Sequence, residues 1–548
     1  MAYPPRSDKP RNSAAGRPQR SPDSRSREER PHRDRPFGER PPRDGKGGPD
    51  RGGPSRGGPD KGGKGGPKKG GKGKPRKLSP HEKRFGDDAE AYGDDPKGIA
   101  VRRAASDILA LMRDGLPLDD ALNMCRSYAA LGFSPEGAPQ KSNEMIRADK
   151  GFARSMATMV LRRRGVIDHL IGAYLDRPLP AKAVRAMDVL RLCAAQTLFL
   201  DTPPHAAVSL ATALTKERRE TMGYANLVNA VSRKLSETPA EKIAELPVRT
   251  DTPSWLWRRW ERAYGPMRTR NIAKAHLAQA PLDLSFRSIE ERDAMIETIG
   301  GTVTEFHQGL PALRVSPAPS RASALEGYAE GKWWVQDLSA QLPVSLMNIK
   351  PGMQVLDLCA APGGKTMQLI GAGAMVSAID RSDERMERVE ENLRRANMSA
   401  NIEICDALLY QPDTLADAIL LDAPCSATGT IRRHPDIPWG KSQDDVNGLV
   451  PLQRQLIDHA LTLLKPGGML LYCTCSLQPE EGELQIKDAL AHHDNLTREA
   501  ISVATDPQIA PFAKAGAINK DGDVRILPSF GADYGGMDGF FISRLRKN

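Results

Sequence analysis

Apolar residues recur at helical spacing from residue 97 onward. Val101, Ala104, Ala105, Ile108, Leu109 and Met112 form one stripe; Val184, Met187, Leu190 and Ala194 form another. Asn226-Leu227-Val228-Asn229-Ala230-Val231 opens a third. Strand signals are scarce across 97–240, which predicts an all-α domain. Pro253-Ser254-Trp255-Leu256-Trp257 starts a short helical connector. From Leu282 to about Trp334 short apolar stretches such as Leu282-Asp283-Leu284-Ser285-Phe286 predict a small α+β piece. After Gly352 the pattern changes again. Met353 to Leu358, Met375 to Ile379, Asn401 to Ile404, Ala418 to Leu421 and Met469 to Tyr472 read as strands. Helices are expected from Ser382 to about Ala396 and from Leu452 to Leu464, the second closed by Lys465-Pro466-Gly467-Gly468. Gly539-Phe540-Phe541-Ile542-Ser543 supplies a late strand. Strands alternating with helices predict a parallel, doubly wound α/β sheet. The expected divisions are 1–96, 97–240, 241–334 and 335–548.

Charge changes the picture at one end. Residues 1–77 consist mainly of Gly, Pro, Arg, Lys, Ser and Asp, with 23 basic and 9 acidic residues among them. Such a segment cannot bury a core and reads as a disordered basic tail. It can attract nucleic-acid phosphates or simply keep the chain soluble, and composition does not choose between the two. Leu78 to Pro96 is an acidic linker. The helical stretch 97–240 carries a net +7, with Arg162-Arg163-Arg164 its densest cluster, and residues 241–548 total −7. An exposed Arg run of this kind is a solvated face or an RNA-contacting surface.

No run approaches the ~18 consecutive apolar residues of a membrane helix, and the N-terminus lacks the apolar segment of a secretory signal. The seven cysteines cannot all pair. Reduced thiols in a cytoplasmic monomer are expected. There is no C-x-x-C pair, so no metal is expected.

The unusual residues of the predicted sheet gather at its strand ends, where ligands bind in such folds. The first strand runs into Cys359-Ala360-Ala361-Pro362-Gly363-Gly364-Lys365-Thr366. The second ends at Asp380, the third at Asp406, the fourth at Asp422-Ala423-Pro424-Cys425, and the fifth at Cys473-Thr474-Cys475-Ser476. Gly363-Gly364 allows close backbone approach to a ligand, and Asp380 lies where an acid can bind ribose hydroxyls. A phosphate-cradling loop would need Gly where Cys359 stands, and G-x-G-x-x-G is absent. A nucleoside bearing a sulfonium needs no phosphate cradle, and S-adenosylmethionine remains. Two thiols and an acid at adjacent strand ends suit addition of a thiolate to carbon 6 of cytosine, which makes carbon 5 able to take a methyl group. Cys125, Cys193, Cys405 and Cys473 are read as small core residues; Cys425 and Cys475, beside Asp422, are read as functional.

These residues resemble a known family. Val335-Gln336-Asp337, the run Cys359 to Thr366, Asp422 to Gly429, Arg432-Arg433-His434-Pro435-Asp436, Thr474-Cys475-Ser476 and Asp538-Gly539-Phe540-Phe541 look like the Nol/Nop/Sun cytosine-5 RNA methyltransferases. Pro203-Pro204-His205-Ala206-Ala207 and Asn226-Leu227-Val228-Asn229 resemble the NusB-type helical RNA-binding domain. The pairing is similar to the bacterial Sun/RsmB branch, and covers about residues 97–546. The resemblance implies a class I, Rossmann-like methyltransferase domain acting on a cytosine of small-subunit ribosomal RNA. It implies that Cys359, Ala360, Ala361, Pro362, Gly363, Gly364, Lys365, Asp380, Asp406 and Asp422 hold S-adenosylmethionine. It further implies that Cys475 is the nucleophile, that Cys425 assists product release, and that Asp422 also faces the base. Pro438 stands where the family usually has Lys before Trp439, so a basic contact near the target is expected to be missing. The alternatives are the same chemistry on transfer RNA, or a non-catalytic NusB-like antitermination factor.

Overall fold

The computed structural model describes residues 96–134, 140–319 and 321–548; the predicted basic tail lies outside them. The first part is helical. Helices α1 (Ile99–Arg113), α2 (Asn143–Arg162), α3 (Arg164–Ala173), α4 (Val184–Phe199), α5 (Pro204–Glu217) and α6 (Ala225–Ser236) carry the predicted stripes. Their apolar faces, including Ile108, Met156, Ile167, Leu190 and Val228, close one core.

The connector is longer than expected. It runs as α7 (Ser254–Leu277) and turns at Gly265, whose φ of 78° and ψ of 167° break the helix just before Pro266. The two halves meet through Trp260 and His276, whose ring centroids are 5.3 Å apart. Beyond it, β1 (Leu282–Ser285) pairs antiparallel with β2 (Ala312–Val315) and with β3 (Trp334–Val335). Helix α8 (Ile289–Ile299) packs on this small sheet through Met295 and Ile299.

The last part is a large sheet. Helix α9 (Leu338–Ser345) leads into β4 (Gln354–Leu358), α10 (Gly364–Gly371), β5 (Met375–Asp380), α11 (Asp383–Arg395), β6 (Asn401–Ile404) and β7 (Ala416–Asp422). Then come α12 (Gln443–Leu463), β8 (Leu464–Thr474), α13 (Glu483–His492), β9 (Leu496–Arg498), β10 (Val524–Ile526) and β11 (Phe540–Lys547). The strand order is β10-β11-β8-β7-β4-β5-β6, with β9 also on β11. Alternate residues serve opposite faces. Val355, Leu420 and Ile542 pack on the side of α9; Leu356, Leu421 and Phe541 pack on the side of α12 and α13.

Two expectations are corrected here. The sheet is mixed, not parallel: β4 to β8 run parallel, but β11 enters antiparallel to β8, and β9 and β10 antiparallel to β11. Besides β10, residues 499–539 hold one five-residue helix, Ala510–Lys514, and no long crossover helix, and β11 enters from the other end. Helix α12 starts nine residues before Leu452. Ser442 and Asp445 form a reciprocal cap there, and Pro451 is accommodated inside the helix.

The Arg162-Arg163-Arg164 cluster is half-buried, and each arginine has a partner within the chain. Arg162 donates to the Arg432 carbonyl at 2.9 Å, Arg163 pairs with Asp251 at 2.8 Å, and Arg164 lies over the Trp439 ring at 5.0 Å. The Trp439 indole donates to the Leu161 carbonyl at 2.8 Å. This seam joins the helical part to the segment 431–441. Pro438 is buried within it, in a small cavity shared with Arg162, Trp260 and His276. Position 438 therefore faces the helical part.

His276 gives the seam a pH dependence. Burial, together with Arg432 and Arg162, pushes its pKa down to about 3, and its Nε2 has no partner. Burial and Arg314 lower His307 to about 3 as well. A depressed folded-state pKa contributes stability that is complete above the unfolded value of about 6.5 and is lost as pH falls towards 3. Unfolding free energy will fall by up to ~1.4 kcal/mol per pH unit for each histidine in that window. His276→Leu will remove one proton's share of this slope in denaturant titrations at pH 7, 6, 5 and 4; an unchanged slope would show that His276 is charged in the native seam.

Candidate active site

The chain leaves β4 at its carboxyl end through Cys359, whose φ is 66°, and turns into α10 at Gly363, whose φ is 96°. A Cβ at Gly363 would meet Val389 Cγ1 at 3.1 Å. The left-handed φ and the close packing against α11 both favour glycine here. Asp380, at the end of β5, is buried. Its Oδ1 accepts from the Ser382 amide at 3.0 Å and its Oδ2 from the Ala361 amide at 3.3 Å. It therefore ties the glycine turn to the next strand. Asp406 follows β6, exposed, and accepts from the Leu408 amide at 3.0 Å.

Asp357, inside β4, accepts from the Thr366 hydroxyl at 2.7 Å, while its Oδ1 is buried without a partner. Burial raises it to about 7. Burial and the carboxylates of Asp380, Asp422 and Asp357 push the Cys359 thiol far up. The loop is therefore ringed by acids. Two cations face them: Arg385 Nη1 lies 3.5 Å from Asp380, and Lys365 Nζ lies 2.7 Å from Asp422 and 5.2 Å from the Phe540 ring centroid. Burial opposes the charge, yet Asp422 holds Lys365 above the ordinary lysine value.

At the neighbouring strand ends, Asp422 of β7 lies opposite Cys473 of β8. The Cys473 thiol donates to Asp422 Oδ1 at 3.6 Å. Cys473 is thus a core residue, as expected, but one whose thiol fixes the second oxygen of a site carboxylate. The Cys425 and Cys475 sulfurs lie 3.5 Å apart, both partly exposed. The hydrogen bond to Cys475, burial, the Cys475 charge and Glu481 together hold the Cys425 thiol well above its ordinary value. The two cysteine turns are stitched by backbone bonds: Gly429 N–H donates to the Cys475 carbonyl at 2.9 Å, and Gly539 N–H to the Gly429 carbonyl at 2.8 Å. A Cβ on Gly429 would meet the Gly539 oxygen at 2.1 Å, so only glycine fits. The remaining cysteines stand apart: Cys125 and Cys193 are buried in the helical core, and Cys405 follows β6.

Three of the motifs that carried the resemblance meet in one buried ionic cluster. Asp337 Oδ2 accepts from Arg432 at 2.9 Å and from Arg433 at 2.6 Å; Asp538 accepts from the same two arginines at 2.8 and 2.9 Å. Burial opposes the Asp337 charge, but Arg433 and Arg432 hold its carboxyl well below the usual range. These residues are architectural: they lock β3, the segment 431–441 and the start of β11 together. Glu481 and Arg525, buried around the cysteine turns, carry no signal in the sequence; Ser426 and Ser476, also buried there, stand in the motifs but without a role of their own.

An acid-ringed loop at the switch point of a doubly wound sheet, with polar groups at four further strand ends, defines a methyltransferase of Rossmann-like fold. Residues 344–546 match the family model described as 16S rRNA methyltransferase RsmB/F, and residues 102–237 match the NusB family. The ribosomal RNA small subunit methyltransferase B of Cronobacter sakazakii is 34% identical over 422 residues, covering 75% of this chain and 93% of that protein. Its counterpart in Erwinia tasmaniensis is 34% identical over 413 residues, covering 73% and 91%. The crystal structure of PH0851 superposes with a TM-score of 0.63 at 23% identity, over 83% of this chain and 99% of that one, and so shares the fold. The chain belongs to the RsmB/F family of S-adenosylmethionine-dependent ribosomal RNA methyltransferases. Among the described residues no helix is long and apolar enough to cross a membrane, and no cluster of His, Cys, Asp and Glu could hold a metal ion.

Proposed function

We propose that this protein methylates carbon 5 of one cytosine in 16S (small-subunit) ribosomal RNA, in the cytoplasm and as a monomer, through a covalent bond to Cys475. The observation that carries this reading is the pair of thiols 3.5 Å apart beside the Lys365–Asp422 pair. In the same reading the chain divides into a tail and linker (1–96), a NusB-like RNA-binding domain (97–240), a connector with a small subdomain (241–334) and the methyltransferase domain (335–548).

The acids around the loop from Cys359 to Lys365 fit a cationic nucleoside. Asp380 would take the ribose hydroxyls, and Asp406 and Asp422 would supply the negative field that a sulfonium prefers. Bound there, S-adenosylmethionine supplies an electrophilic methyl group. The chain's own residues do the rest. The Cys475 thiolate bonds to ring carbon 6, and the electron pair released towards N3 is captured by a proton that would reach N3 through Asp422, whose two oxygens receive hydrogen bonds from the Lys365 ammonium and the Cys473 thiol. Carbon 5, now electron-rich, bonds the methyl group as the bond between methyl and sulfonium breaks, which would leave a neutral thioether. Carbon 5 then loses its proton to base, the ring double bond re-forms, and the carbon–sulfur bond breaks. The Cys425 thiol, within hydrogen-bond reach of the departing Cys475 sulfur, stabilises it as a thiolate. Burial and Cys475 keep Cys425 protonated for that task.

Bisulfite sequencing of ribosomal and transfer RNA from a deletion strain tests the reading. One protected cytosine in small-subunit RNA is expected to become convertible, and to regain protection on complementation. Loss in a transfer RNA would move the substrate; no loss anywhere would favour a NusB-like binding protein.

A further inference from the structure

Glu481 stands out among the buried groups that the reaction does not use. It follows β8 by seven residues, is wholly buried, and among the described residues forms no ion pair with a lysine or arginine. Every bond it accepts comes from a group that positions one cysteine turn or the other. Its Oε1 accepts from the Ser426 amide at 2.8 Å and from the Gln453 amide group at 3.1 Å; its Oε2 accepts from the Ser426 and Ser476 hydroxyls, each at 2.5 Å. Ser426 directly follows Cys425, and Ser476 directly follows Cys475. The Gln453 side chain, besides reaching Glu481, donates to the Pro424 carbonyl at 2.8 Å, on the other flank of Cys425. The Glu481 carbonyl in turn accepts from the Tyr472 and Thr474 hydroxyls at 2.9 and 3.3 Å, which fixes it to β8.

A buried carboxylate without a cation is costly. Short bonds from two hydroxyls and an amide offset that cost only when both turns are in place. We propose that Glu481 is a positioning residue: it clamps Ser426 and Ser476 onto one carboxylate and so sets the separation of the Cys425 and Cys475 sulfurs. The clamp has an electrostatic consequence. The hydrogen bond to Cys475, burial and the Glu481 carboxylate behind it together hold the Cys425 thiol above its ordinary value, so the clamp also helps that thiol keep its proton. Tyr472 lies near the same thiol, and Arg525 donates to the Ser476 carbonyl on the Cys475 turn.

The proposal rests on the reading of Cys475 as nucleophile and Cys425 as release residue, and its test separates the two. Full-length Glu481→Gln keeps the side-chain shape but cannot accept from both serines and the two amides. Its kcat should fall roughly 100-fold, as a misplacement of about 1 Å does, with KM for RNA unchanged. In RNA-free protein, iodoacetamide labelling followed by mass spectrometry should show the pH midpoint of Cys425 shifted downward and the preference between the two thiols reduced. Wild-type kcat, or an unchanged Cys425 labelling profile, would overturn the proposal. Should Glu481→Gln fail to fold by circular dichroism, Ser426→Ala with Ser476→Ala removes the tethers and retains the charge. A fall in kcat at constant KM supports the clamp there, and wild-type kcat rejects it. The labelling experiment involves no RNA, so it stands even if adduct trapping were to show that the cysteine roles are reversed.

Discussion

Cys475→Ala protein mixed with RNA and S-adenosylmethionine will show no slowly migrating protein–RNA band on a denaturing gel and no methylated product. Removing a nucleophile that works as part of a unit costs roughly 10⁴-fold or more in turnover. Cys425→Ala will behave differently. It retains the attacking sulfur, so it should bond to carbon 6, accept the methyl group, and then stall with RNA attached through Cys475. The expected readout is a stoichiometric band carrying one methyl group per protein. The argument is local. The two sulfurs lie 3.5 Å apart, and Cys425 is the one whose thiol is held far above its ordinary value. A thiol that keeps its proton beside the other sulfur can donate to that sulfur as it departs, which suits Cys425 to release. A band with Cys475→Ala and none with Cys425→Ala would reverse the assignment.

Asp337→Asn will unfold the catalytic part at a markedly lower temperature. Asp337 accepts five bonds at once: from the Ser339 amide and hydroxyl, the Asp538 amide, Arg432 and Arg433. Neutralising it leaves Arg432, which is 2% exposed, with Asp538 as its only charged partner. Breaking a buried pair on one side costs about 3–5 kcal/mol. With roughly 2–4 °C per kcal/mol for a unit of this size, Tm should fall on the order of 10 °C. Arg388→Ala provides the contrast. Its partner Glu384 is an exposed helix neighbour at 3.1 Å, and such pairs contribute at most a few tenths of a kcal/mol. Calorimetry of the two variants checks both statements; equal melting temperatures would mean that the Asp337 cluster does not hold the fold.

Much of this molecule is legible along the chain because the physics involved is local. Val355 to Leu358 and Ala418 to Leu421 are buried on both faces, so the second reads as an unbroken apolar run and the first as one interrupted only by Asp357, whatever their neighbours. The helical stripes from Val101 to Met112 and from Val184 to Ala194 follow from 3.6 residues per turn. The chemistry-bearing residues at strand ends are legible for the same reason: wherever a parallel strand stops, its carboxyl end faces the ligand side. The direction of β11 is not local. Phe540-Phe541-Ile542 would read alike in either sense, and the connection before it, with no long crossover helix, decides that it runs antiparallel. Gly363 also packs against Val389, in a helix 26 residues further on, a contact that no local pattern shows. The partners of Arg162, Arg163 and Arg164, and the burial of Pro438, depend on the meeting of the helical part with the segment 431–441. Asp337 and Glu481 lie furthest from what a sequence can say. The sequence by itself determined the order of strands and helices, the acids and thiols at their ends, and the family. The tertiary structure alone decided which arginines close on Asp337, 95 and 96 positions away, and that one carboxylate reaches two serines 50 residues apart. Those contacts depend on long-range closure of the chain, which no periodicity along it encodes.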